Sequence, residues 1–261
     1  MPSFEKFLCA LIFLVSVTAE AAFSWEYIAR AEAVKNVQIR SEVSAKINKI
    51  HFNEGTFIDK SATLFTLNSA QFQAETALKK AELAHAQAQL DGAVKYLSRL
   101  KAADKRGVTA SDLDTAESEV RQYRAAVDEA KAALRIAQIQ LNNTKITAPF
   151  AGRVGKANFN QGSYISPDDV LCEIVQTDPI RILFAMPDRD YMSVKNSQEK
   201  LKYELILADG SIFPGTIEKD FEDNVMNSET GTINIWLKVS NENNILLPGS
   251  LVRVRVIQDV L

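Results

Sequence analysis

The sequence predicts an α+β fold in which β material is interrupted by a long antiparallel coiled-coil hairpin, and three observations carry that expectation. Apolar and polar residues alternate in strand fashion towards both ends of the chain. A central stretch without proline carries heptad periodicity. The two segments that flank this stretch repeat each other.

The chain has 261 residues, 46% of them hydrophobic, enough to bury a core in one large or two small domains. Its 30 basic and 33 acidic residues leave a net charge of −3, and no basic stripe interleaved with aromatics stands out, so no nucleic acid partner is expected. Residues 1–21 read as a secretory signal peptide. Lys6 precedes an apolar run from Phe7 to Val17, although Glu5 makes this start less basic than usual, and Ala19-Glu20-Ala21 offers a cleavage site after Ala21. The run falls short of the ~20 residues that span a bilayer. Cleavage removes Cys9 and leaves Cys172 alone, so the exported fold has no internal disulfide and stands on packing. Within Val170–Val175, Cys172 is expected to be a buried small hydrophobe.

From about Phe23 to Leu67 the texture is that of half-buried strands, as in Lys46–Phe52, with Asn53-Glu54-Gly55 as a turn. Between Ser69 and Asn143 there is no proline, and Ala, Gln, Glu, Lys, Arg and Leu dominate. Leu83, Ala86, Leu90, Ala93, Leu97 and Leu100 step alternately by three and four. So do Leu113, Ala116, Val120, Tyr123, Val127, Ala130, Leu134, Ala137 and Leu141. These are two a/d seams of 3.5-residue period, which face each other only if the chain folds back. The break falls at Asp104–Thr109, with Gly107 as the helix stop and Ser111 or Thr109 as the cap of the second helix. Each arm then reaches roughly 50 Å at 1.5 Å per residue. Lys105 and Arg106 at the turn suit either a solvated bend or a charged contact with a partner. After Asn143, short strands punctuated by Pro and Gly run to Leu261 and suggest a small sandwich or barrel.

The segments beside the hairpin match. Val43–Ile58 followed by Leu64–Leu67 parallels Phe150–Ile165 followed by Leu171–Ile174, with Asn53-Glu54-Gly55 and Asn160-Gln161-Gly162 at equivalent turns. A half-sandwich with an exposed apolar face needs its mate. Two such halves resemble a biotinyl/lipoyl domain whose linking turn has become a coiled-coil hairpin. That arrangement, together with Thr144–Val154, Glu229–Ile233 and Leu246–Val254, resembles the periplasmic adaptors, or membrane fusion proteins, of resistance-nodulation-division (RND) efflux pumps.

The resemblance implies an N-terminal strand (22–36) joining a β-barrel (177–258), a lipoyl-like β-sandwich in two halves (37–68 and 144–176), and the α-helical hairpin (69–143) between them. It implies a non-enzymatic periplasmic subunit, peripherally associated with the inner membrane and self-associated into a ring. The partners would be an inner-membrane RND transporter at the barrel and an outer-membrane channel at the hairpin tip. Tip contacts would come from Arg99, Leu100, Lys105, Arg106, Gly107, Thr109 and Asp114, while Gly55, Gly152, Gly162, Gly231 and Gly249 would serve structural turns. Many members also carry a membrane-proximal domain, expected to be absent or vestigial because the chain stops almost where the barrel does. Ser61 and Ala45 stand where the family usually has Gly. Thr109, Asp114 and Ala116 fit the tip pattern, whereas Arg99 and Leu100 sit one to two residues from the expected slots, which fall on Ser98 and Ala102. An adaptor for an ABC-type exporter would share this architecture.

No cofactor, metal or catalytic site is expected. A lipoyl or biotinyl carrier needs a lysine at the turn that the hairpin replaces. His51 and His85 are isolated. Met186 and Met192 suit core filling better than a soft metal, and Asp188 and Asp190 read as part of a solvated turn. No nucleophile elbow or phosphate loop occurs.

Overall fold

The structure, a computed structural model, describes residues 23–103, 108–196 and 201–258. Its strands are β1 (Phe23–Ala33), β2 (Asn36–Arg40), β3 (Ala45–Ile50), β4 (Phe57–Ile58), β5 (Thr63–Leu67), β6 (Lys145–Thr147), β7 (Gly152–Val154), β8 (Tyr164–Ile165), β9 (Val170–Val175), β10 (Ile180–Pro187), β11 (Leu201–Ile206), β12 (Ile217–Glu222), β13 (Thr232–Val239) and β14 (Leu251–Gln258). The helices are α1 (Ala70–Ala102), α2 (Ala110–Asn142) and α3 (Asp188–Asn196). The chain divides into two compact units. One joins the described residues up to Glu32 with those from Pro179 onward, and the other is Ala33–Asp178.

The first unit is a six-stranded sheet in the order β11-β14-β1-β10-β13-β12. Period-2 alternation sends Ile180, Ile182, Phe184 and Met186 of β10, and Val252, Val254 and Val256 of β14, into one core. The Asp188–Asp190 segment forms the first turn of α3 rather than a free turn, because long-range contacts hold it. Buried Asp190 accepts from the Tyr27 hydroxyl at 3.0 Å, and the Tyr27 ring stacks on Phe184. Desolvation, then the hydrogen bond to Asp190, pushes the Tyr27 phenol well above its ordinary range. The Tyr191 hydroxyl donates to Glu222 at 2.9 Å.

In the second unit the sheets β2-β9-β7-β4 and β6-β5-β3-β8 share one core that includes Ile47, Phe65, Leu67, Ile165 and Ile174. The sequence repeat appears here as a two-fold in the hydrogen bonds. Ser61 N–H donates to Ala148 as Asp168 N–H donates to Ser41, and Ser41 N–H donates to Asp169 as Ala148 N–H donates to Ala62. The Gly55 and Gly162 amides donate to Val154 and Ile47 in the same matched way. β3 pairs with β8 and β4 with β7, so each half supplies a short strand to a strand of the other.

α1 and α2, of 33 residues each, are inserted between β5 and β6. The seam read from the sequence is the face withdrawn from solvent: every seam residue from Leu83 to Leu100 and from Leu113 to Leu141 is buried or half-buried. Thr76 Oγ1 lies 3.3 Å from the Ala137 carbonyl near one end, and Lys101 pairs with Glu117 at 2.8 Å near the other.

Candidate functional site

The sequence concentrates its candidate contact residues where α1 gives way to α2, and Arg99, Leu100, Thr109 and Asp114 are described there. Lys105, Arg106 and Gly107 lie outside the described residues, as does the expected signal peptide. Arg99 and Lys101 stand in the last turn of α1, where the helix dipole favours cations. The Arg99 guanidinium lies 6.0 Å from the Tyr96 ring centroid and is exposed, whereas Leu100 is half-buried in the seam. α1 ends at Ala102, and the extended Ala103 returns its N–H to Leu100.

Across from this end, Thr109 caps α2, which settles the choice between Thr109 and Ser111. Its hydroxyl accepts from the Asp112 amide at 3.2 Å, while the Asp112 carboxylate takes the Thr109 amide at 2.9 Å. This capping box was hard to read because its acid is Asp rather than the usual Glu or Gln. The Thr109 side chain, then its amide, holds the Asp112 carboxyl below its ordinary range, and Lys101 does the same for Glu117. Exposed Asp114 follows one turn after Thr109. The described residues thus form a polar surface of mixed charge on capped helix ends, suited to hydrogen bonding.

A second exposed region joins β12 to β13 in the first unit. The Asn227 carboxamide accepts from the amides of Glu229 and Thr230, Gly231 takes φ 63°, and Val225 is 71% exposed. Gly55, Gly162 and Gly249 also take positive φ in turns. Gly152 is different: it lies inside β7 and is set by close approach, since a Cβ there would stand 2.6 Å from the Val175 carbonyl oxygen.

Among the described residues, no group of three or more His, Cys, Asp or Glu could hold a metal ion. Met186 is in the core, while Met192 on α3 is 49% exposed. His51 Nε2 lies 2.7 Å from Thr66 Oγ1, and His85 is exposed on α1. Cys172 is buried, and desolvation pushes its thiol up to about 12. Among the described residues, no helix is long and apolar enough to cross a membrane.

Comparison with known proteins assigns this architecture. Residues 35–177 match the family described as RND MFP (membrane fusion protein), barrel-sandwich hybrid domain, and residues 179–260 match RND MFPs, beta-barrel domain. The multidrug efflux pump subunit AcrA of Escherichia coli is 32% identical over 241 residues, covering 87% of this chain and 60% of AcrA. The efflux pump periplasmic linker BepD of Brucella suis is 30% identical, covering 94% of this chain and 66% of BepD. The chain thus spans about 60% of the length of AcrA. A membrane fusion protein from Streptococcus pneumoniae shares the fold with TM-score 0.67 at 15% identity, covering 90% of this chain and all of that one. So does a MacA–MexA chimera containing the Pseudomonas aeruginosa MexA alpha-hairpin domain, with TM-score 0.64 at 20% identity, covering 91% and 80%. Two family matches laid end to end over a two-fold sandwich and a barrel make the chain a member of the RND membrane fusion proteins.

Proposed function

We propose that the chain is the adaptor subunit of a tripartite RND-type efflux system, joining an inner-membrane transporter to an outer-membrane channel. It works in the periplasm, peripherally associated with the inner membrane, after loss of a signal peptide at residues 1–21. The observation that carries this reading is the insertion of two 33-residue helices, facing each other through a narrow seam, at one turn of a two-fold β-sandwich. As a long antiparallel coiled-coil hairpin these helices supply reach rather than core volume. Its tip, formed by Arg99, Leu100, Lys105, Arg106, Gly107, Thr109 and Asp114, meets the channel. The barrel (177–258 with the strand from 22–36) docks on the transporter, and the lipoyl-like halves (37–68 and 144–176) take part in self-association into a ring. The role is geometric and not enzymatic. The names borne by AcrA, a multidrug efflux pump subunit, and BepD, an efflux pump periplasmic linker, support the assignment.

The test is crosslinking in intact cells from photoreactive side chains placed at exposed Asp114 and Ser228. The expected adducts are an outer-membrane channel from Asp114 and an RND transporter from Ser228. An ABC exporter at Ser228 would retain the adaptor and change the machine, and no membrane partner at either position would refute the bridge.

A further inference from the structure

The two-fold of the second unit has a groove on its axis. This groove, of about 310 Å³, is lined by matched positions of the two halves: Gln38 is equivalent to Lys145, Ile39 to Ile146, and Arg40 to Thr147. Its walls are β2 and β6, and each is the terminal strand of its sheet. Among the described residues β2 has only β9 as a sheet neighbour, and β6 has only β5. A terminal strand leaves one row of backbone N–H and C=O groups without a strand partner, the template for strand addition. At the opposite edges of the same sheets β4 and β8 are two residues long, against five for β2 and three for β6, so β2 offers the longest free edge.

The charges of the groove select what can enter. Arg40 donates to the Asp168 carbonyl at 2.7 Å and to the Gln38 carboxamide oxygen at 2.8 Å, so the hydrogen bonds that brace its guanidinium run to neutral acceptors. Lys145 is exposed and lines the same groove. The one carboxylate, Glu42, already accepts from Asn143 at 2.7 Å. A mainly polar lining offers little to an apolar helix or a lipid chain, whereas paired strand edges and two cations match main-chain amides carrying a carboxylate.

We propose that the groove between β2 and β6 takes up an extended, acidic peptide segment of a partner protein by strand addition. The main chain of the segment pairs with β2 or β6, and one Asp or Glu side chain meets Arg40 and Lys145. The groove shares no residue with the helix ends where α1 gives way to α2 or with the loop between β12 and β13.

The test is selection of a random-sequence dodecapeptide phage library on the immobilised full chain, with the Lys145→Glu chain as counter-screen. The expected result is enrichment of β-branched, alternating sequences containing Asp or Glu. A synthetic copy of a selected peptide then shifts the backbone amide signals of Gln38, Arg40 and Thr147. Its affinity falls about tenfold in Lys145→Glu, where an attractive cross-strand pair becomes repulsive, and less in Lys145→Gln. Methylating alternate peptide amides abolishes binding. Lys145 is exposed, and an unchanged amide spectrum elsewhere verifies that both variants fold. No enrichment over the counter-screen, enrichment of apolar peptides, indifference to amide methylation, or shifts confined to another surface would each overturn the proposal. Binding is read on the isolated chain, so it stands or falls independently of the efflux reading.

Discussion

Gly152 and Ala45 occupy equivalent places in the two halves, and only one of them tolerates a methyl group. At Gly152 a Cβ would meet the Val175 carbonyl oxygen at 2.6 Å and Ile174 Cγ2 at 3.2 Å, while Ala45 is buried with its Cβ in the core. Gly152→Ala is therefore expected to destabilise the second unit by about 1–3 kcal/mol, the usual cost of overpacking, as a lower urea midpoint. Ser61 and its mate Asp168 both take positive φ, 65° and 69°, so the turn retains its left-handed residue after losing the usual glycine. A non-glycine residue there costs ~1–2 kcal/mol, and the chain entropy of glycine offsets ~0.5–1 of it. Ser61→Gly should accordingly raise stability by roughly 0.5 kcal/mol, measured by the same denaturation. The sequence marked both positions as departures from a pattern. It could not show that Ser61 is the strained one and Ala45 is not, since that depends on the backbone φ at Ser61 and on the core space open to the Ala45 methyl group.

Among the elements, α1 and α2 were legible almost to the residue because a 3.5-residue period needs no tertiary information. α3 was not. Its Pro-Asp-Arg-Asp start has turn composition, and the partners that hold it, Tyr27 and Glu222, come from elements far along the chain. The same distance hid the charge ladder across β14, β1 and β11, where Arg255 spans Glu26 at 2.8 Å and Glu204 at 3.1 Å, and Arg253 also reaches Glu26. The Arg255 hydrogen bond comes first in holding the Glu26 carboxyl below its ordinary range, and Lys219 leads in doing so for Glu222. A carboxyl depressed in the folded state contributes stability above its unfolded value, and that contribution is lost as pH falls through the folded one. The first unit should therefore weaken as pH drops below the ordinary glutamate range near 4.5. Both tryptophans, Trp25 and Trp236, belong to this unit, so their fluorescence in urea titrations at stepped pH reports it separately. A midpoint that rises on acidification would contradict the ladder.

For the whole molecule, the two-fold was visible in the sequence as matched turns, but the exchange of short strands was not. Alternation says that β4 and β8 are half-buried and says nothing of which partner each one finds. The pairings Phe57 with Arg153 and Lys46 with Tyr164 bind the halves so that neither completes its sheets alone. Closing a long chain segment before its contacts form is costly in entropy, and sandwiches built from distant pairings fold slowly. Here the segment to be closed contains α1 and α2, whose seam ends where the Leu67 amide donates to the Thr144 carbonyl. Zipping of the helices therefore delivers β5 and β6 to each other. Val127→Ala, which loosens the seam at a residue 4% exposed, should slow refolding of this unit roughly threefold in stopped-flow while changing its unfolding rate less. The first half of the sandwich, with β3 and β5 already able to pair, must then wait for β7 and β8 beyond the second helix before its sheets are complete. The order in which the sandwich closes would be set by the same two helices that its turn carries.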